Sequence, residues 1–346
     1  MACWHWAICL FGVTVAEHWH GRSSVTATSA PARLMRKVEE NGDISLLDAE
    51  EADTRVDDHH PPPCREDYSC DRSDVEMESH STMRIAVYTY NIGGYEAMRS
   101  DFVPCVPDGV DAFLFIDEVG MRRFGKTVRR WKDLGWRIMN FTQIPGNKHV
   151  SGPRLTSKSL KFTPPSWLLN GTWHWLVEHD GNIVLDLHRL RHFVRNLRRR
   201  ALVLLNWGYH TDCTGDGFKC FLTEVGSMLT ERIQYVASSK ENVVKWKELL
   251  EKMHIGKLTH GGRKYLPPNY YETNVIFRNL KHSKAKKVRD AFEKTFLKCQ
   301  EIQRDQFLLP FFLWQDELSH STEAIPIENL VSDLGYCMVG TRVGRN

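Results

Sequence analysis

The sequence has no CxxC pair, no GxGxxG fingerprint, no apolar run of bilayer length and no large excess of either charge. Each absence excludes a class. Without CxxC spacing the nine cysteines make no structural zinc site, and spread over 346 residues they are too sparse for a disulfide scaffold, which leaves the redox compartment open. Without GxGxxG there is no ground for a classical dinucleotide fold. Residues 3 to 16 are apolar, but no basic segment precedes them and they meet Glu17 before reaching the roughly 20 residues a bilayer requires. No transmembrane anchor is expected. A targeting peptide and a non-native start upstream of Met83 both stay open, so localisation is either Golgi or secretory, if that segment targets, or cytoplasmic. The formal charge of +3, from 46 Lys plus Arg against 43 Asp plus Glu, is too small to argue for nucleic acid.

The charge is unevenly spread. From Lys37 to Glu78 there are 15 acidic and 4 basic residues, so an acidic leader precedes a basic remainder. With its Ser/Thr/Ala-rich stretches and Pro61-Pro62-Pro63, the segment 1–82 reads as a disordered leader. The folded domain is expected over 83–320, followed by a tail, 321–346, packing on it or extending from it.

Within the domain, Arg84-Ile-Ala-Val-Tyr-Thr-Tyr90 is a buried-strand pattern ending in Asn91-Ile-Gly93-Gly94, and 111–117, 136–140 and 273–278 repeat it. Connections of some 20 residues predict an α/β sheet with sites at the strand ends. Arg154, Lys158 and Lys161 share one face if their stretch is helical, which suits either phosphate or solvent. Residues 173–180 approach a turn at Asp180-Gly181 as an apolar run, and Asp180 with Asn182 suits a hard cation, sugar hydroxyls or a plain turn. Six arginines over 188–200 make a basic helix: a solvated face, a phosphate contact or an interface. His210, Cys213, Cys220 and Glu224 invite a metal reading, but their spacing is irregular and no second cluster completes four ligands. Lys245–Lys252 reads as a polar helix, and 281–298 as an amphipathic one burying Val288, Phe292 and Phe296. Asp305, with Gln306, precedes the apolar 307–314 either as a helix cap or as a carboxylate projecting into a pocket.

Taken in order, Val87-Tyr-Thr-Tyr-Asn-Ile-Gly-Gly-Tyr95, Pro107-Asp-Gly-Val-Asp111 leading to Asp117, Gly135-Trp136, the spaced Arg154, Lys158 and Lys161, Asp180-Gly-Asn-Ile183, and Arg304-Asp-Gln306 with Trp314 resemble the domain-of-unknown-function 616 (DUF616) family. These are glycosyltransferase-like proteins of bacterial surface-polysaccharide loci and of plant wall or mucilage synthesis. The resemblance runs from about 84 to 316. It implies a GT-A-like nucleotide-sugar-binding domain with a mixed, mostly parallel central sheet, acting on a nucleotide-sugar donor and a glycan or polysaccharide acceptor. Gly93, Gly94 and Asp117 would approach the nucleotide. Arg154, Lys158 and Lys161 would face the donor diphosphate. Asp180 and Asn182 stand where related enzymes carry a metal motif for Mn2+ or Mg2+, with Asn182 replacing its second carboxylate. Asp305 and Gln306, with Asp180, would be catalytic. A catalytically inactive carbohydrate-binding or scaffold protein of the same fold, or a hydrolase, is the alternative.

Overall fold

In the computed structural model, the structure describes residues 64, 83–94, 96, 98, 102–143, 152–206, 259–260, 263–264, 271–302 and 305–339. The leader apart from Cys64, the His210 to Glu224 cluster and the helix expected at 245–252 lie outside them.

The chain alternates strands and helices. β1 (Ile85–Asn91) and β2 (Val110–Ile116) lead into α1 (Glu118–Asp133), β3 (Arg137–Asn140), α2 (Pro153–Phe162) and the short α3 (Ser166–Leu169). β4 (Trp175–His179), β5 (Ile183–Val184), α4 (Leu187–Asn196), β6 (Leu202–Asn206) and the small hairpin β7 (Thr259–His260) with β8 (Arg263–Lys264) follow. β9 (Tyr271–Asn279), α5 (Ala285–Ile302), α6 (Asp305–Gln315), β10 (Thr322–Ile325), α7 (Ile327–Leu334) and β11 (Cys337–Met338) complete it.

Seven strands form the main sheet in the order β10-β6-β9-β4-β1-β2-β3. β9 runs antiparallel to both its neighbours and every other pairing is parallel, so the sheet is mixed and mostly parallel, as expected. The chain steps from β1 outward through β2 to β3, then returns to lay β4 on the other side of β1. Strand order therefore reverses between β1 and β4. The carboxyl ends of two parallel strands diverge there and open a crevice, the usual ligand position of an open α/β sheet.

Both faces of the sheet are covered, which is why these strands read as continuous apolar runs. Ile85 and Val87 of β1 join Leu114, Trp131, Trp136, Val177, Leu190 and Leu330 in the larger core, beneath α1, α4 and α7. Ala86, Tyr88 and Tyr90 alternate to the other face, with Phe113, Phe115, Leu160, Leu168 and Leu176. On that second face Phe162 of α2 packs on Phe292 of α5, with ring centroids 5.4 Å apart. The amphipathic pattern of 281–298 holds, since Val288, Phe292 and Phe296 are all buried.

The tail expected from 321 supplies the edge strand β10, so the sheet continues past residue 320. Cys337 on β11 is disulfide-bonded to Cys64, across 273 residues of sequence, and Cys105 is disulfide-bonded as well. Sparse spacing was a poor guide to pairing: the fold brings together cysteines from opposite ends of the chain. The helix expected over 188–200 ends at Asn196, and arginines on it and just after it tie it to its neighbours. Arg189 donates to the Ser332 carbonyl, Arg191 to the Asp108 carbonyl, and Arg200 pairs with Glu323 at 2.9 Å. No helix among the described residues is long and apolar enough to cross a membrane.

Candidate functional site

The crevice between β1 and β4 is a pocket open to solvent. β1 delivers Tyr90 to its floor and the turn after β4 delivers Asp180; α2 supplies Arg154, Ser157, Lys158 and Lys161. Thr273 and Asn274 arrive on β9, whose antiparallel course places its start at this edge of the sheet, and α6 adds Asp305 and Gln306. Six residues singled out from sequence are thus gathered in one place: Arg154, Lys158, Lys161, Asp180, Asp305 and Gln306.

The turn carrying Asp180 needs glycine. A Cβ on Gly181 would sit 2.7 Å from the Tyr90 carbonyl oxygen and 3.1 Å from Glu96 Cβ. The chain passes the end of β1 too closely for any side chain. Asp180 itself is pinned by its backbone N–H, which donates to the Asn274 carbonyl at 2.9 Å.

Two buried ion pairs span the pocket. Lys161 Nζ lies 2.8 Å from Asp180 Oδ1, with the two side chains 8% and 12% exposed. Lys158 pairs with Asp305 Oδ1, while Thr273 Oγ1 donates to Asp305 Oδ2 at 2.6 Å. Burial by itself would raise the Asp305 pKa, but Lys158 and Lys161 hold it well below the usual carboxylate range. Burial would likewise lower the Lys161 pKa, and the charges of Asp180, Glu178 and Asp305 reverse that, keeping it above the ordinary lysine value.

Another carboxyl group lies beneath. Tyr90 Oη sits 2.8 Å from Glu178 Oε1 and 3.1 Å from Asp180 Oδ1. A phenol has one proton, so it is either shared between the two carboxylates or given to one while the other, protonated, donates in its turn. Glu178 suits that part. It is fully buried, and burial, opposed by Lys161 and reinforced by Asp180, pushes it up to about 8. Its Oε2 has no hydrogen-bond partner among the described residues.

Lys161 is also fixed from behind. The Arg278 guanidinium on β9 donates to the Lys161 carbonyl and lies 3.2 Å from Tyr88 Oη, and it stacks 4.4 Å from the Phe292 ring centroid. Tyr88 Oη donates to the Leu160 carbonyl at 3.1 Å. The last turn of α2 is therefore held by both β1 and β9.

The remaining sequence candidates sit elsewhere. Asp117 caps α1, accepting from Gly120 N–H at 2.8 Å, and its other oxygen accepts from Gly93 N–H at 2.9 Å. Its carboxylate thus organises the Gly93-Gly94 loop. Gly93 has φ +72° and its Cβ position is 2.7 Å from Pro153, so the loop abuts the start of α2. Gly93, Gly94, Asp117 and Asn182 do not line the pocket. Asn182 is buried, and its carbonyl accepts from Val339 N–H at 2.8 Å.

A divalent cation fits this donor set poorly. Magnesium and calcium need several oxygen ligands. Here Asp180 Oδ1 is taken by an ammonium group, Asp305 uses both oxygens and Asn182 lies outside the lining, so Asp180 Oδ2 and the Glu96 carboxylate are the other carboxylate oxygens in it, fewer than such an ion gathers. Among the described residues no group of three or more His, Cys, Asp or Glu side chains is arranged to hold a metal.

Sequence reading missed Tyr90, Glu178, Thr273 and Asn274 as parts of the site. The signal for Tyr90 is its place as the last alternating aromatic before the strand-ending loop. For Thr273 and Asn274 no local signal exists, because only strand order brings them here.

No protein-family model matches the chain, and no curated protein matches it. Among solved structures it is similar to the apo form of WbbM, a bifunctional glycosyltransferase, with TM-score 0.41 and 11% identity over 72% of this chain and 40% of that one. It is also similar to the glycosyltransferase GlyE of Streptococcus pneumoniae TIGR4, with TM-score 0.36 and 11% identity over 70% and 45%. Mouse xyloside xylosyltransferase 1 gives TM-score 0.38 and 8% identity over 70% and 85%. The chain spans less than half the length of the first two. At these scores the likeness says nothing about chemistry, which rests on the pocket.

Proposed function

We propose that the chain is a GT-A-like glycosyltransferase of the DUF616 kind, moving a sugar from a nucleotide-sugar donor in this pocket to a hydroxyl of a glycan or polysaccharide. The observation that carries the reading is the convergence, where the strand order reverses, of one basic helix face with two carboxylates. In such a transfer the acceptor oxygen forms a bond to the sugar's anomeric carbon as the bond to the diphosphate breaks. The bonding electrons leave with the phosphate, and the acceptor proton passes to a base. Cations are needed where the leaving group gains charge, and Arg154, Lys158 and Lys161 line that side. Of Asp180 and Asp305, Asp180 is the better base. Both its contacts fall on Oδ1, whereas Asp305 is engaged at both oxygens and positions Lys158. Gln306 stands beside Asp305 on the acceptor side.

The test is a calorimetric and thermal-shift screen of the full chain against UDP-, GDP- and CMP-sugars, with and without Mn2+ or Mg2+, followed by a turnover assay on any donor that binds. Saturable binding with transfer is the expected result. A folded chain that binds none of them refutes the proposal. Binding without turnover on any glycan acceptor would establish the scaffold reading, which the full ion pairing of Asp305 favours.

A further inference from the structure

Resting on that donor reading, we infer that Lys161 stands in for the divalent ion, so that this pocket takes a nucleotide diphosphate without metal. The ammonium of Lys161 already occupies the place beside Asp180 Oδ1, at 2.8 Å, with both side chains nearly enclosed. A divalent ion binding there would have to expel that ammonium from Asp180 while leaving it nearby at an almost enclosed position, where two cations repel. To use Asp305 as well as Asp180 and Glu96 it would have to strip Asp305 of Lys158 and Thr273.

Compensating cationic groups are present. Arg154, Lys158 and Lys161 recur at intervals of four and three along α2, so all three project from one face, and all three line the pocket. An ammonium has three N–H donors, and its carboxylate contact need not use them all, so a phosphate oxygen and a carboxylate can share one lysine. A metal's other asset is fixity, and Lys161 has it. Its carbonyl is held by Arg278, itself stacked on Phe292, and Tyr88 holds the preceding carbonyl. The charge is in place before the diphosphate arrives, which is what transition-state stabilisation by fixed groups requires.

The test uses UDP and GDP as probes, titrated calorimetrically into the full chain in EDTA and again in Mn2+ or Mg2+. Three proteins are compared: the unaltered chain, Lys161→Arg, and the pair Lys161→Met with Asp180→Asn, which removes both charges together and strands neither. The expected result is one Kd in either buffer for the unaltered chain, and at least about tenfold weaker binding by the paired variant, with no rescue by metal. Lys161→Arg should keep most of the affinity. Tenfold or greater loss on chelation, or full affinity in the paired variant, overturns the inference while leaving the donor reading standing. No binding of any nucleotide or nucleotide sugar in any buffer, by protein with a cooperative melt, overturns the donor reading and this inference with it.

Discussion

Glu178→Gln isolates the buried carboxyl group beneath the pocket. Glu178 is raised from glutamate's ordinary 4.5 to about 8, chiefly by burial. A raised acid contributes its full stabilisation below the unfolded value, and that stabilisation is lost as pH climbs through the folded one. At pH 6 the unfolded chain has released this proton and the native chain keeps it, and by pH 8 the native group is itself half ionised. The slope is about 1.36 kcal/mol per pH unit until it levels off there, or about 2 kcal/mol across the window. For a domain of this size that is a fall in Tm of roughly 4 to 8 °C. Glutamine has no such proton to lose. It also meets the unpartnered position at Oε2 with a new amide, which shifts stability by a constant about 1–3 kcal/mol. The comparison is therefore between slopes: urea or thermal unfolding of both proteins at pH 6 and pH 8, with the unaltered chain losing about 2 kcal/mol more than the variant. Glu272, partly exposed and raised to about 7, titrates in both proteins and cancels. Slopes that agree within about 1 kcal/mol would refute the reasoning, because Glu178 would then be ionised like any exposed glutamate.

Lys161→Met alone strands the Asp180 carboxylate and is expected to lower stability by about 3–5 kcal/mol; adding Asp180→Asn should restore most of it, both read by urea unfolding. Asp305→Asn should abolish turnover and also cost about 3–5 kcal/mol, because Lys158 loses its partner; a variant of unchanged stability would show the pair to be inert. Asp305 is held below its ordinary 3.8, so the stability it contributes is complete above about pH 4 and lost as pH falls further, and acid unfolding of Asp305→Asn should begin from a flatter profile. Gly181→Ala places a methyl 2.7 Å from the Tyr90 carbonyl, and loss of donor binding at a reduced Tm is expected. Cys337→Ser removes a cross-link over a long loop and should lower stability by about 2–5 kcal/mol in non-reducing buffer, with no effect in reductant.

Strand positions were legible because strands covered on both faces leave an unbroken apolar signature, as in Ile85–Asn91 and Val110–Ile116. The basic face of α2 was legible from spacing alone. What spacing could not say is where that face points: Lys158 meets Asp305 across 147 residues, and only the return of the chain to β4 and the antiparallel β9 makes that meeting. Tyr90 and Glu178 were hidden for the opposite reason. Within a buried strand a polar side chain looks like one more core position until its partners are known. A carboxylate ending a strand and one capping the next helix occupy the same place in sequence, and Asp117 is in fact such a cap, with a second bond to the Gly93 loop. The edge strand β10 carries only four residues, too few for periodicity to declare it.

The Cys64–Cys337 bond turns most of the chain into a closed covalent ring. A protease that cuts at any single point between those residues opens the ring without dividing the molecule. Clipped protein then keeps its full mass on a non-reducing gel and separates into fragments only after reduction, so intactness has to be judged under reducing conditions. Beginning the chain at Met83 discards Cys64, so Cys337 on β11 loses its partner and that ring is never closed.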